Sequence, residues 1–220
     1  MPVEAVIFDM DGVIVESEAL WDKAREALVK ETGGRWGANS QEAMMGMASH
    51  EWSVYVRDEL QVPMSAEDIS TEVVARLEAL YREDLPLIEG SAEAVRAAAD
   101  LWPVAIASSS NRELIDLIAE LAGIADVLQT TVSSEEAGRG KPAPDVFLMA
   151  AEQLGVDPEN CVVVEDSSNG IRAAVAAGMK VIAAPNKDFP PSQEALDLAT
   201  LVIDRVTDLT NQTIEHAGNS

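Results

Sequence analysis

The sequence contains few basic residues that could bind a polyanion. It contains 15 Lys and Arg residues against 39 Asp and Glu residues, which gives a net charge of −24. DNA, RNA and anionic membrane surfaces would repel such a chain, so we expect none of them as a partner. An anionic substrate would need help from backbone N–H groups or from a few placed cations.

The sequence also lacks long apolar runs and has one cysteine, Cys161. No apolar stretch reaches membrane-spanning length, and no basic region precedes an apolar segment at the N-terminus. A lone cysteine cannot form an internal disulfide, which fits a reducing compartment. Since Cys161 lies in an apolar run with no His nearby, we interpret it as a buried strand residue and not as a nucleophile. We therefore expect a cytoplasmic protein.

Short apolar segments alternate with helical patterns along most of the chain. Residues 18–85 are the exception, because their apolar residues show helical spacing only. The first helical pattern in this segment has apolar positions at Leu20, Trp21, Ala24 and Leu28, with the charged residues Asp22, Lys23, Arg25 and Glu26 between them. Repeated strand–helix units predict a parallel sheet with helices on both faces. The predicted strands are residues 5–8, 103–107, 127–132, 162–164, 180–184 and 201–203.

We therefore predict an α/β fold with a Rossmann-like parallel sheet and an inserted all-helical cap domain. The predicted core comprises residues 1–15 and 86–220, and the predicted cap comprises residues 16–85. The 220 residues, of which 47% are hydrophobic, suffice for one large domain with such an insert.

Polar clusters follow the apolar strands at four places. They are Asp9 with Asp11, the run Ser108, Ser109, Ser110 and Asn111, Lys141 before Pro142, and Glu165 with Asp166. Each cluster by itself is also compatible with an ordinary turn, a solvated loop or a helix start. In a parallel sheet the carboxyl ends of the strands share one edge, so we expect the four clusters to converge there.

Converging carboxylates, hydroxyls and a lysine suit phosphoryl transfer. A carboxylate can attack phosphorus and form an aspartyl phosphate, and a second carboxylate can serve as general acid and base. Mg²⁺ prefers oxygen ligands and often binds one or two carboxylates together with substrate phosphate oxygens. A hydroxyl, a lysine and backbone N–H groups can hold the remaining phosphate charge.

Four motifs in this order resemble the haloacid dehalogenase (HAD) superfamily. They are Asp-Met-Asp-Gly-Val at 9–13 followed by Ser-Glu at 17–18, Ala-Ser-Ser-Ser-Asn at 107–111, Gly-Lys-Pro-Ala-Pro-Asp-Val-Phe at 140–147 and Glu-Asp-Ser-Ser-Asn-Gly at 165–170. The resemblance covers essentially the whole chain, including the helical segment after the first motif. It is to the branch that holds the β-phosphoglucomutase-like and 2-deoxyglucose-6-phosphate phosphatase-like enzymes.

The resemblance implies a role for each motif residue. Asp9 is then the nucleophile, Asp11 the general acid and base, and Lys141 the cation between Asp9 and the phosphate. Ser108 and Ser109 bind the transferring phosphoryl group. The implied Mg²⁺ site comprises Asp9, the main-chain carbonyl of Asp11, Asp166 and, in a supporting position, Glu165.

The cap and the serine run contain the candidate substrate contacts. Residues 45–52 resemble the specificity loop of the family, where Ser49 or His50 would touch the leaving group; an exposed helix residue is the alternative for His50. Ser110 and Asn111 are the candidates on the core side.

Two departures from the family pattern bear on the reaction. Glu16 replaces the usual Asp at the expected hinge, and Trp21 stands where mutases of this branch have a His. We therefore expect a Mg²⁺-dependent phosphatase acting on a small phosphorylated metabolite, with a sugar phosphate as the favoured class. A phosphosugar mutase and a non-catalytic phosphate-binding domain are the alternatives. The sequence indicates no oligomer.

Overall fold

The computed structural model describes residues 2–44, 47, 49–187 and 189–220, with the backbone alone of Glu42. The strands are β1 (Ala5–Phe8), β2 (Val104–Ser108), β3 (Thr130–Ser133), β4 (Cys161–Glu165), β5 (Lys180–Ala183) and β6 (Leu201–Val202). The first helices are α1 (Glu18–Glu31), α2 (Ser40–Met44), α3 (Ser49–Asp58), α4 (Ala66–Glu83), α5 (Ser91–Ala99) and α6 (Arg112–Leu121). The remaining helices are α7 (Ser134–Ala137), α8 (Asp145–Leu154), α9 (Ser168–Ala176), α10 (Gln193–Leu196) and α11 (Asn211–Gly218), with short 3-10 helices at Pro158–Asn160 and Val206–Asp208.

The strands form one parallel sheet in the order β3-β2-β1-β4-β5-β6. The chain order reverses at β1, because β2 and β3 lie on one side of it and β4 to β6 on the other. Open α/β sheets bind ligands in the crevice outside the carboxyl ends of the strands at such a reversal. The register pairs Phe8 with Ile106 and with Val164, so Asp9 emerges between the ends of β2 and β4.

Two apolar layers cover the two faces of the sheet. Because successive strand residues point to opposite faces, Val6 and Phe8 of β1 pack into one layer while Ala5 and Ile7 pack into the other. Both layers are buried, which explains why the strands are continuously apolar. Cys161 lies fully buried in the second layer, and burial raises the pKa of its thiol to about 12, so the strand interpretation is confirmed.

Helices α1 to α4 form the segment between β1 and α5, as the helical periodicity predicts. Ser65 caps the N-terminus of helix α4, and its hydroxyl accepts a hydrogen bond from the Asp68 N–H (3.0 Å). Its buried stripe comprises Ile69, Val73, Val74, Leu77 and Tyr81. One polar residue of α1 departs from the pattern, because Arg25 is buried and only 6% exposed.

The predicted strand at 127–132 is shorter in the structure. Pairing with β2 begins at Thr130, because residues 127–129 form a connection in which Val127 N–H donates to Ile124 O (3.1 Å). Among the helices of the described residues, none has the length and apolar character needed to cross a membrane.

Candidate active site

Lys141 joins two of the four sequence clusters at the carboxyl edge of the sheet. Its Nζ donates hydrogen bonds to Asp9 Oδ1 (2.6 Å), Glu165 Oε1 (2.7 Å) and the Ala107 carbonyl (3.2 Å). All three charged side chains are buried, and Glu165 is fully so. The convergence that the parallel sheet predicts is therefore present for Asp9, Lys141 and Glu165.

This buried cluster contains three acids and one lysine, and the surroundings change the pKa values of Asp9, Asp166 and Lys141. Burial raises the pKa of Asp9 to about 7, although Lys141 offsets part of the effect. Burial, followed by repulsion from Glu165 and Asp9, also raises the pKa of Asp166. Burial acts to lower the pKa of Lys141, but attraction to Asp9 and Glu165 outweighs it and keeps the ammonium charged. With Asp9, Glu165 and Asp166 all ionised, the cluster would hold more negative charge than one lysine can balance.

Carboxylate oxygens of Asp9, Glu165 and Asp166 lie within 4.8 Å of one another, a spacing that can hold a metal ion. Hard carboxylate oxygens are the ligands that Mg²⁺ and Ca²⁺ prefer. A divalent cation would also neutralise the excess negative charge, so the donor set fits such an ion. Gly12 allows this arrangement, because its φ is +82° and a Cβ there would lie 2.0 Å from Asp166 Oδ2.

Glu165 differs from its two neighbours because both of its oxygens are already engaged. Oε1 accepts from Lys141, while Oε2 accepts from the N–H groups of Asp166 and Ser167 (both 2.9 Å) and from the Ser167 hydroxyl (3.0 Å). These donors stand at the N-terminal end of α9, where free N–H groups favour a negative charge. Glu165 is thereby held rigidly under Lys141.

Gly170 of α9 packs directly against the Glu165 carboxylate. A Cβ at this position would lie 1.6 Å from Glu165 Oε1 and 2.2 Å from Oε2, and neither oxygen can move without breaking its hydrogen bonds. We expect Gly170→Ala to lower the free energy of unfolding by about 1–3 kcal/mol through overpacking. Urea denaturation would measure the loss, and enzymatic activity should fall as well.

Gly37→Ala is the matched control for that substitution. A Cβ there would meet only Ser40 Oγ at 3.8 Å, so we expect little change in stability. A Gly170→Ala variant as stable as Gly37→Ala would contradict the close packing at Glu165.

Hydroxyl groups surround the carboxylate of Asp11. Oδ2 accepts from Ser110 Oγ (2.7 Å) and Ser108 Oγ (3.3 Å), while Oδ1 accepts from Ser17 Oγ and from Trp21 Nε1 (3.4 Å). The serine run and the start of α1 therefore meet at Asp11. The sequence analysis includes Ser17 in the first motif but gives it no role in the site, although a Ser directly before a predicted helix is a recognisable signal.

A cavity of about 520 Å³ opens above these side chains. Asp9, Asp11, Lys141, Asp166, Ser109 and Ser110 line it from the core side. Glu18, Trp21, Arg25, Gln41, Met44 and Trp52 line it from the helical segment. The volume suits a small ligand. Glu18, Trp21 and Arg25 follow helical spacing on α1, the one sequence signal that could have placed them on one face.

Ser108 lies beneath the cavity wall and is fully buried. Its Oγ donates to Asp11 and accepts from the Ser110 N–H (3.0 Å), which orders the turn after β2. Ser109 and Ser110 follow it at the wall itself.

Ser49 and His50, the predicted substrate contacts of the helical segment, are not among the residues that line this cavity. His50 is exposed, and Ser49 donates its hydroxyl to Asn111 Oδ1 (2.8 Å). The Asn111 amide also donates to Glu135 Oε1 (2.9 Å). Met45, Gly46 and Ala48 of the predicted specificity loop lie outside the described residues. The Ser49–Asn111 pair connects the helical segment to the loop after β2.

The fold and the site together define an α/β enzyme with a buried acid–lysine cluster under a helical insert. A sequence profile of the haloacid dehalogenase-like hydrolases matches residues 3–178. Hexitol phosphatase B of Escherichia coli (strain K12) is 32% identical over 212 residues, which cover 94% of each chain. The phosphorylated carbohydrates phosphatase of Thermotoga maritima is 30% identical over 182 residues, or 82% of this chain and 84% of its own.

Solved structures share the same fold. CbbY from Rhodobacter sphaeroides, in complex with phosphate, matches with a TM-score of 0.86 at 24% identity, covering 96% of this chain and 99% of its own. β-Phosphoglucomutase from Clostridium difficile matches with a TM-score of 0.84 at 24% identity, covering 99% and 97%. The chain belongs to the haloacid dehalogenase-like hydrolase family. The α/β fold and the superfamily predicted from the sequence are confirmed.

Proposed function

We propose that this protein is a Mg²⁺-dependent phosphatase that hydrolyses a small phosphorylated metabolite, with sugar phosphates as the favoured class. The observation that carries the proposal is the Asp9 carboxylate, which stands at the reversal point of the sheet and is held at one oxygen by Lys141. The names of the relatives, a hexitol phosphatase and a phosphorylated carbohydrates phosphatase, support the substrate class.

Asp9 is the nucleophile in this proposal. Its Oδ1 is engaged by Lys141, whereas Oδ2 accepts no hydrogen bond from any residue that the structure describes and is free to attack. An oxygen–phosphorus bond forms between Asp9 and the substrate as the ester oxygen leaves. Lys141 keeps one Asp9 oxygen in place and offsets negative charge as the phosphoryl group approaches.

Asp11 is the general acid and base. It gives a proton to the departing ester oxygen and then takes one from the water that attacks the aspartyl phosphate, so phosphate leaves and Asp9 is restored. The hydroxyls of Ser17, Ser108 and Ser110 fix the Asp11 carboxylate for both steps. Ser109, at the cavity wall, holds the transferring phosphoryl group through its hydroxyl and its own backbone N–H.

Asp9, Asp166 and the Asp11 main-chain carbonyl would hold Mg²⁺, and the engaged carboxylate of Glu165 would act as a positioning group. Bound Mg²⁺ supplies Lewis-acid stabilisation of the charge on the phosphoryl oxygens. Binding requires ionised carboxylates, and burial alone disfavours ionisation of Asp9 and Asp166.

We further propose that residues 1–15 and 86–220 form the catalytic core and residues 16–85 form a cap that closes over substrate. Two backbone contacts lie beside each other at the proposed hinge: Glu16 N–H donates to Pro86 O (2.8 Å) and Ile88 N–H donates to Ile14 O (2.9 Å). The Glu16 side chain accepts from Asn186 Nδ2 (2.8 Å), so this unusual hinge residue bonds to the loop after β5. Closure would exclude water and select the leaving group.

Removal of divalent metal tests the proposal. We expect EDTA to stop phosphate release from p-nitrophenyl phosphate and from a panel of sugar phosphates, and excess Mg²⁺ to restore it, because the acid cluster needs a cation to accept an anionic substrate. A colorimetric phosphate assay measures both steps. Full turnover in EDTA would refute the metal role, and an isomerised sugar phosphate without free phosphate would indicate a mutase.

A further inference from the structure

Arg25 is a buried cation in the cavity wall that forms no close ion pair with any carboxylate in the described part of the chain. Its guanidinium makes no ion pair and donates no hydrogen bond to any described residue, and its Nε is buried without an acceptor. A buried charge without a hydrogen-bonded partner is costly, and an anionic ligand can supply the missing partner. Lys141, the other cation at the wall, is already paired with Asp9 and Glu165.

Two tryptophans hold the Arg25 guanidinium in place. Its Cζ lies 4.5 Å from the ring centroid of Trp21 and 4.7 Å from that of Trp52. The two rings meet edge to face, with centroids 5.8 Å apart. Cation–π contacts of this kind stabilise the charge and fix the orientation of the group without using its N–H donors. The donors remain available for an anion.

The position of Arg25 relative to the reacting groups follows from Trp21. The indole Nε1 donates to Asp11 Oδ1, while the ring of the same residue packs against the guanidinium. The indole ring of Trp21 therefore separates the Arg25 guanidinium from Asp11, the proposed general acid. A group bound to Arg25 would sit on the leaving-group side, whereas Asp9 and Lys141 face the phosphoryl group to be transferred.

The acidic residues near Arg25 attract its positive charge but accept no hydrogen bond from its guanidinium in the described structure. Burial lowers its pKa to about 10, and Glu18, Asp11 and Asp22 act in the opposite direction, so the guanidinium stays charged near neutral pH. Glu18 has the largest of these effects, yet burial raises the pKa of the Glu18 carboxyl itself to about 7. Glu18 forms no hydrogen bond or close ion pair with the guanidinium in the described structure, so its attraction acts from a distance and leaves the N–H donors unused.

We propose that Arg25 binds a second anionic group, a carboxylate or a second phosphate, on the leaving-group part of the substrate. This inference rests on the proposed phosphatase function. It narrows the substrate class from sugar phosphates in general to substrates that carry a second anionic group, namely phosphorylated acids or bisphosphates. A planar guanidinium suits two oxygens of either anion. The positive charge of Arg25 also explains how a chain with a net charge of −24 binds a ligand that carries a second anion next to the helical segment.

Paired substrates test the proposal. In each pair one member carries the second anion: 3-phosphoglycerate against glycerol 3-phosphate, and fructose 1,6-bisphosphate against fructose 6-phosphate. We expect kcat/KM for the anionic member of at least one pair to exceed that of its partner by about tenfold or more, the range of a charge-assisted contact. The preferred pair identifies the anion as carboxylate or phosphate.

Substitution of Arg25 tests the residue itself. Arg25→Gln should lower that preference by about tenfold, and Arg25→Lys should keep part of it, because the charge remains while the planar fork is lost. Arg57→Gln, which removes an exposed cap arginine paired with Asp58, is the control and should leave the preference unchanged. A merely structural Arg25 would alter both members of a pair by the same factor.

The outcomes separate the two proposals. If the unmodified protein hydrolyses the substrates that lack a second anion and shows no higher kcat/KM for their partners, the role of Arg25 is overturned and the proposed phosphatase function stands. This outcome is measured on the unmodified protein and does not depend on whether a variant folds. A loss of preference in Arg57→Gln equal to that in Arg25→Gln also overturns it. No phosphate from any substrate with Mg²⁺ present overturns the proposed function instead.

Discussion

Asp9→Asn should abolish phosphate release, with a loss of on the order of 10⁴-fold or more in kcat, the scale seen when a covalent nucleophile is removed. Asparagine keeps the shape of the side chain and an oxygen that can accept from Lys141, but its amide does not attack phosphorus. The fold should survive, because the change removes one negative charge from a buried cluster of three acids and one lysine. Phosphate release from p-nitrophenyl phosphate with Mg²⁺ present measures the effect.

Asp100→Asn is the matched control, since it makes the same chemical change at an exposed residue after α5. It should retain the activity of the unmodified protein. Asp9→Asn activity within tenfold of the control would end the assignment of Asp9 as nucleophile. A far-UV circular dichroism spectrum equal to that of the control would show that lost activity does not come from lost structure.

Lys141→Met should destabilise the metal-free protein by about 3–5 kcal/mol, the usual result of removing one partner from a buried ion pair. Methionine fills similar volume beside the Phe147 ring, which lies 4.7 Å from Nζ, so the loss would come from charge and not from a cavity. Asp9, Glu165 and Asp166 would be left buried together without a cation. Urea denaturation near neutral pH measures the change, and activity should also be lost.

Two companion variants separate charge from packing. Lys23→Met removes an exposed lysine of α1 and should change stability by no more than about 0.5 kcal/mol. Glu165→Gln added to Lys141→Met should recover part of the stability, because it removes a buried charge while an oxygen still accepts from the N-terminal end of α9. A Lys141→Met variant as stable as Lys23→Met would contradict the electrostatic account of the cluster.

The convergence of the motif residues was predictable because parallel strands share one carboxyl edge. Asp9 and Glu165 are more than 150 positions apart, yet the pairing of Phe8 with Val164 makes them neighbours at two adjacent strand ends. Apolar runs of four or five residues were sufficient to locate β1 and β4. The start of β3 was less predictable, because the apolar residues 127 and 128 pack against the core from a connecting segment without pairing in the sheet.

The side of the cavity that the helical segment forms was much less predictable. Arg25 lies among Asp22, Lys23 and Glu26 on α1, where a charged residue is normally solvated. It is buried because Trp21, one turn before it, and Trp52, from another helix, enclose its guanidinium. His50 shows the converse: it follows a loop expected to face the substrate, but its side chain is exposed.

The sequence by itself determined the sheet, the helical insert and the residues at the strand ends, since apolar periodicity and motif order are local properties of the chain. Only the tertiary structure decided which charges are paired and which are left for a ligand. Lys141 is satisfied by Asp9 and Glu165, whereas Arg25 has two indole rings and no carboxylate partner among the described residues. The physical reason is that the free energy of a buried charge depends on its neighbours in space, which come from distant parts of the sequence.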